Sequence, residues 1–169
     1  SEVKSADLYS AALVGAVNSN DGAVISDITV SETSVVSSAG FVGAVSGRAD
    51  GKAEFVNLKV DKVTVSGAQN VGGAFGCAEG EVKIENAQVA ASKVSGISNV
   101  AGIAGYSGIG TSVSKVNLTD SSVSTVGNDS SYIAGGITAS TGATISDVTV
   151  VNSTVFGGIA AGIAGRTVG

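Results

Sequence analysis

The feature that most constrains this sequence is a set of apolar residues that recurs about every 30 residues. One series is separated by 30, 29, 29 and 32 residues, by subtraction of residue numbers, and consists of Ile25, Phe55, Ile84, Val113 and Ile145. Three further series follow it in the same order: Ile28, Leu58, Ala87, Val116 and Val148; Val30, Val60, Val89, Leu118 and Val150; and Val35, Val65, Val94, Val123 and Val155. Such a period is typical of stacked architectures, in which one unit cannot bury its apolar face alone.

The residue types within each unit favour strands and turns. The chain is 43% hydrophobic but only 4% aromatic, it has 25 Gly and no Pro, and its apolar residues are mainly Val, Ile and Ala. Glycine at this density would cost a helix about 1 kcal/mol per residue. An immunoglobulin-like sandwich also has short strands, but it does not repeat the same apolar positions five times.

We therefore predict an all-β fold: a single-domain parallel β-solenoid over residues 1–169, right-handed by the usual preference of such connections. It would have about 5.5 coils of about 30 residues, with three short strands per coil. The predicted coils start near residues 14, 42, 71, 100, 133 and 161, with half-coils at both ends.

One polar series precedes the second apolar series and contains Asp27, Asn57, Asn86, Lys115 and Asp147. Asn and Asp tolerate the left-handed backbone and bond neighbouring amides, so this series predicts a ladder of corner turns. A metal or catalytic column is the alternative, but Lys115 interrupts it.

The two ends of the sequence predict self-assembly. Residues 165–169 followed by residues 1–8 parallel the stretch from Gly105 to Leu118 with one residue missing, which places Val3, Ala6 and Leu8 in the second half of a coil. The predicted contact residues are Val3, Ala6, Leu8, Gly162, Ile163 and Val168. Stacking of this heterologous kind does not close and generates a filament. The alternative is that the sequence is an arbitrary slice of a longer solenoid.

The chemistry of the sequence favours no reaction, cofactor or metal. There is no His to serve a nucleophile, and the single cysteine, Cys77, is expected to be a small buried residue, with a reactive or intermolecular thiol as the alternative. The carboxylate pairs Asp27 with Glu54 and Asp50 with Glu79 have no aromatic sugar platform near them in the sequence, so we interpret them as exposed charge.

Charge and hydropathy limit the partners. A net charge of −5 argues against a nucleic-acid surface, and no apolar run is long enough for a membrane span. Three Asn-X-Ser/Thr sequons, at Asn117, Asn128 and Asn152, are acceptors for glycosylation if the source has such a pathway. The outward series is too mixed for an ice-binding threonine array: Thr29, Lys59, Gln88, Asn117 and Thr149.

Three short motifs resemble the GLUG-type repeats of microbial surface proteins: Gly102-Ile-Ala-Gly105, Ile145-Ser-Asp-Val-Thr-Val150 and Val94-Ser-Gly96. The resemblance implies a β-solenoid of an extracellular or cell-surface protein with no catalytic residue. Our functional prediction is a non-enzymatic structural subunit that stacks head to tail into a filament or surface layer. The alternatives are a stalk fragment of an adhesin that meets a glycan or host surface, and a β-helix that binds or cleaves polysaccharide.

Overall fold

Strands connected by tight corners wind the chain into about six turns of about 29 residues, all in parallel register, and the described residues contain no helix. The computed structural model describes residues 1–6, 8–38 and 40–168. The predicted parallel β-solenoid is thus confirmed, with slightly more turns than the 5.5 expected.

The strands follow the turns in chain order. The first three turns contain β1 (Glu2–Ser5), β2 (Tyr9–Ala11) and β3 (Val14–Ser31); β4 (Ser34–Ser37), β5 (Phe41–Gly43) and β6 (Ser46–Asp61); and β7 (Thr64–Ser66), β8 (Gln69–Gly72) and β9 (Phe75–Ala90). The last three contain β10 (Lys93–Gly96), β11 (Ser98–Ala101), β12 (Ala104–Ser107) and β13 (Ser112–Thr119); β14 (Ser122–Thr125), β15 (Ile133–Gly135), β16 (Thr138–Thr141) and β17 (Thr144–Val151); and β18 (Thr154–Phe156), β19 (Ile159–Ala161) and β20 (Ala164–Thr167).

These strands stack into three parallel sheets. Sheet A consists of β1, β4, β7, β10, β14 and β18, and sheet B of β2, β5, β8, β11, β15 and β19. Sheet C contains the remaining strands: β3, β6 and β9 stack in order, and β9 then pairs with β12 through its first half and with β13 through its second half. Sheet C therefore forks into β12–β16–β20 and β13–β17.

The repeated apolar residues form columns in the core. Strand pairing places each of the four predicted series in one column. Phe55, Ile84 and Val113 are at most 1% exposed, whereas the end members Ile25 and Ile145 are only partly buried. Each interior side chain is covered by its copies in the turns before and after it, so the end turns alone lack cover on one side.

The predicted corner ladder is confirmed. All five residues of the Asp27 series have φ between 51° and 58°, in the left-handed region. The side-chain amide of Asn57 donates a hydrogen bond to Asp27 Oδ1 at 2.8 Å, and the side-chain amide of Asn86 donates one to Asn57 Oδ1 at 2.7 Å. Sequence reasoning missed a second left-handed corner, with φ between 48° and 52°, formed by Glu32, Lys62, Ala91, Asp120 and Asn152.

Several strands are much longer than the short strands expected. β3, β6 and β9 span 16 to 18 residues, and in β6 and β9 the turns at Gly51 and Gly80 bend the strand without ending the ladder. These glycines have φ of 77° and 84° and pair with each other across adjacent turns. Glycine is required here, since a Cβ on Gly51 would lie 2.3 Å from the carbonyl oxygen of Ser19.

The predicted register of the first turn is wrong. Val3 pairs with Val35 in sheet A and therefore belongs to the column of Val123, ten residues beyond its predicted equivalent, Val113. Ser10 lies in the column of Val42, so this turn enters sheet B near residue 10 and not near residue 14. The predicted head-to-tail junction thus lacks one whole strand, not one residue. Its last residue, Gly169, lies outside the described residues.

Candidate functional site

The N-terminal end face is formed by β1, β2 and β3, the first strands of the three sheets. Each pairs with the next turn on one edge, and no described strand covers the other edge. Of the predicted contact residues, Val3 is half-buried, Ala6 is exposed and Leu8 is 49% exposed. Leu13, which the prediction did not include, is 47% exposed at the same face.

The C-terminal end face is formed by β18, β19, β20 and the free edge of β17. The predicted residues Gly162 and Ile163 are exposed here, and Val168 is half-buried, with its amide donating to Thr141 O at 2.7 Å. Phe156 and Ile159 are also exposed apolar side chains at this end. The structure thus places the predicted residues at two opposite ends of one molecule.

One column of side chains runs from face to face through the corner between sheets B and C. Its amides donate in sequence from Val45 to Ala74 O, Ala74 to Ile103 O, Ile103 to Ile137 O and Ile137 to Ile163 O, at 2.8 to 3.1 Å. In the first turn the amide of Val14, the residue after Leu13, donates to Val45 O at 3.1 Å. Strand pairing on either side places Leu13 beside Val45. The four interior side chains are 0% exposed: Val45, Ala74, Ile103 and Ile137. Only the end members, Leu13 and Ile163, are uncovered.

The two faces have complementary backbone edges. All strand pairs are parallel and follow one direction from turn to turn. The free edge of β1 therefore presents the backbone N–H and C=O groups with which the free edge of β18 could form hydrogen bonds. In parallel pairing, each strand bonds its two neighbours through opposite edges. A second copy can therefore be added at either end without reversing any strand.

The side surface contains one charged cluster next to aromatic rings. Arg48 Nη2 lies 2.8 Å from Asp50 Oδ2 and 3.2 Å from Glu79 Oε2. Its guanidinium carbon lies 6.0 Å from the ring centroid of Tyr9 and 5.8 Å from that of Phe41. The expectation that Asp50 and Glu79 have no aromatic residue nearby is wrong, because Tyr9 and Phe41 of sheet B supply two rings beside Arg48. Both carboxylates are nevertheless engaged by Arg48, as in a structural ion pair.

A second charged cluster lies on the outer face of sheet C. The Glu85 carboxylate lies 2.8 Å from the ammonium groups of both Lys83 and Lys115. Hydrogen bonds and charge from Lys115 and Lys83 lower the pKa of Glu85 to about 2. Lys115 breaks the corner ladder of amides and is paired instead with a carboxylate of the preceding turn.

Cys77 is buried, at 2% exposure, in agreement with the prediction. Burial raises the pKa of its thiol to about 12, with a further contribution from the nearby Glu79 carboxylate. A thiol with such a pKa stays protonated near neutral pH and is a poor nucleophile.

The three sequon asparagines, Asn117, Asn128 and Asn152, are all exposed. Asn117 lies on β13 in the outward series, which strand pairing assembles into one exposed column as expected. Asn152 lies at the second left-handed corner, with φ of 49°.

The described part of the chain contains no helix that could cross a membrane. Comparison with known proteins found no matching family model, no matching curated protein and no matching solved structure.

Proposed function

We propose that this chain is a non-enzymatic structural subunit that stacks head to tail on copies of itself, forming a filament or layer. The observation that carries the proposal is the column that begins at Leu13 and ends at Ile163. Its interior members are 0% exposed, while both ends are 47% exposed. Stacking places Ile163 of one copy on Leu13 of the next and continues the column across the contact.

The observed register defines the contact. Sheet A continues from Val155 to Val3 of the next copy, sheet B from Ile159 to Tyr9, and sheet C from Ala164 to Val14. The second half of β3 then faces β17 across one vacant strand position, because no described strand follows β20. Three of the four strand positions in a turn thus pair across the contact.

The energetics favour assembly only at high concentration. Covering an exposed half of one large apolar side chain contributes about 1 kcal/mol. Five such residues lie on the two faces: Leu8, Leu13, Phe156, Ile159 and Ile163. Their sum, about 5 kcal/mol, only reaches the lower range of the cost of association, about 4–15 kcal/mol. Backbone hydrogen bonds must supply the remainder, so we expect assembly in the micromolar range or above.

The proposal includes a location outside the cell, at a microbial surface. Its support is the resemblance of Gly102–Gly105 and Ile145–Val150 to GLUG-type repeats. Antibodies raised against the purified chain should label intact cells of the source organism. Labelling that appears only after the cells are permeabilised would contradict this location.

Paired substitutions at the two faces test the stacking. Leu13→Lys and Ile163→Lys each place a charge on one face, so each variant alone should remain monomeric by sedimentation and electron microscopy, with an unchanged Tm. Ile109→Lys is the matched control, because Ile109 is an exposed apolar residue on the side of the solenoid, at 71% exposure. This control should assemble as the unsubstituted chain does.

Mixing the two blocked variants adds a directional test. Leu13→Lys retains its C-terminal face and Ile163→Lys retains its N-terminal face, so the mixture should form dimers and nothing larger. A chain that stays monomeric up to about 1 mM, well above the micromolar range expected of a specific contact, would overturn the proposal. So would equal assembly of all three variants.

A further inference from the structure

A column of small residues lies beside the Leu13 column, at the same corner. Backbone bonds and strand register define its members as Ala12, Ala44, Gly73, Gly102, Gly136 and Gly162. A Cβ on Gly73 would lie 2.1 Å from Gly102 O, one on Gly102 would lie 2.2 Å from Gly136 O, and one on Gly136 would lie 1.9 Å from Gly162 O. At these three positions the carbonyl oxygen of the following turn occupies the space of a side chain, and only glycine fits.

Gly162 is the exception among the four glycines of this column. A Cβ added there would meet no heavy atom within 4 Å, and its φ is outside the left-handed region. No described residue therefore requires glycine at 162. The space that a carbonyl oxygen fills after each of the three preceding glycines is open at Gly162.

We infer that Gly162 is the docking position for the carbonyl group of Ala12 of a second copy. This inference rests on the proposed function and specifies its contact. Ala12 is the first member of the same column, and its amide donates to Ala44 O at 3.1 Å, in the direction of the following turn. In this column the carbonyls of Gly102, Gly136 and Gly162 point back toward the preceding turn. The carbonyl of Ala12 is thus directed out of the N-terminal face, toward the Gly162 of the copy below.

The docking position fixes the register of the contact. Seating the Ala12 carbonyl on Gly162 brings the adjacent residue, Leu13, over Ile163. A side chain at 162 would have to keep the incoming oxygen more than about 3 Å from its Cβ, whereas the interior glycines bring it to about 2 Å. This difference of about 1 Å would push apart the strands of the two copies, which would weaken the backbone hydrogen bonds of the contact.

Substitutions at two positions of the column test the inference. Gly162→Ala and Gly162→Val should leave the Tm and circular dichroism of the monomer unchanged. Overpacking at the contact by Gly162→Val should raise the concentration needed for assembly by about tenfold or more. Gly162→Ala should have a smaller effect, because Ala12 and Ala44 fit at equivalent positions of the same column. Gly136→Ala is the interior control: it should destabilise the monomer itself, because its Cβ would meet Gly162 O. Gln88→Ala, on the exposed side, should change neither property.

A mixing experiment gives the direction of the defect. Gly162→Val retains an intact N-terminal face, so a small fraction of this variant should bind the C-terminal end of growing filaments and shorten them. If the unsubstituted chain assembles and Gly162→Val assembles equally well, the inference is overturned while the proposed stacking stands. If the unsubstituted chain does not assemble at all, both are overturned.

Discussion

The backbone amide of Ser92 donates a hydrogen bond to the side-chain oxygen of Ser121, one turn further along, at 3.1 Å. Ser121 Oγ in turn donates to Thr119 O at 2.7 Å, and the amide of Ser121 donates to Ser153 Oγ at 3.1 Å. The corner before sheet A therefore satisfies its buried amides through serine side chains of the next turn. Ser92 and Ser121 are only 3% and 4% exposed, so water cannot replace these bonds without rearrangement.

Ser121→Ala should lower the free energy of unfolding by about 1–3 kcal/mol, because it leaves the buried amide of Ser92 without a partner. Chemical denaturation with unchanged m-value would measure this loss. Thr33→Ala is the matched control in the first turn, where the hydroxyl bonds Ser31 O at an exposed corner. It should cost less than about 0.5 kcal/mol. Equal losses in both variants would contradict the role assigned to Ser121.

Ala91→Asn should stabilise the protein. Ala91 has φ of 48° at an exposed corner, and its Cβ makes this left-handed conformation unfavourable by about 1–2 kcal/mol. Asparagine tolerates the conformation better, as Asn152 does at the equivalent corner. We expect a gain of about 1 kcal/mol in thermal or urea unfolding. The neighbouring Ala90→Asn, within β9, should give no gain, and a gain of the same size there would count against the backbone explanation.

Glu85 should make stability depend on pH in the acid range. Its pKa is about 2 in the folded chain, below the ordinary value of 4.5, so its contribution is present above pH 4.5 and is lost as the pH falls toward 2. Unfolding curves of the unsubstituted chain and Glu85→Gln should therefore converge at low pH. They should also converge in 1 M salt, since the ion pairs are on the surface.

Glu81→Gln provides the comparison for this measurement. Glu81 is an exposed carboxylate of the same strand, β9, with no ion-pair partner among the described residues. Its substitution should change the free energy of unfolding at pH 7 by less than about 0.5 kcal/mol. A difference between Glu85→Gln and the unsubstituted chain that stays constant from pH 7 to pH 2 would rule out the Glu85 ion pairs as its source.

Cys77 should make stability depend on pH in the alkaline range. The unfolded chain loses the thiol proton near pH 9, whereas the folded chain keeps it until about pH 12. The free energy of unfolding should fall between these values, by up to a few kcal/mol. In Cys77→Ala this part of the decline should disappear.

Thiol modification gives an independent measurement of the same burial. At pH 8 a disulfide reagent should react with Cys77 only as fast as the chain opens, and urea should accelerate the reaction. Modification of the folded chain at the rate of an unfolded peptide would contradict the placement of Cys77.

The interior of this fold could be predicted from the sequence because each interior turn has two neighbours with which its residues can be compared. The Val35 and Ile25 series identify their columns, and the Asp27 series identifies a corner. The first turn has only one neighbour for comparison. The Val42 column is otherwise apolar, but the first turn contributes Ser10 to it. The apolar pattern therefore did not indicate the register of β2.

The candidate site was predicted only in part. Ile163 and Gly162 were predicted as contact residues and lie at the C-terminal end face, but Leu13 was missed because of the register error. The aromatic rings next to Asp50 and Glu79 could not be anticipated, because Tyr9 and Phe41 belong to sheet B and approach Arg48 only after the chain has wound. Contacts across such a corner leave no periodic signal within one strand.

The parallel stacking of the turns also has a mechanical consequence. Because strands lie across the solenoid, their hydrogen bonds run along its long axis, whereas the covalent backbone runs around it. A pulling force along the axis therefore acts directly on hydrogen bonds, and a force across the axis acts on peptide bonds. Such a rod should yield under tension one turn at a time, beginning at an outermost turn.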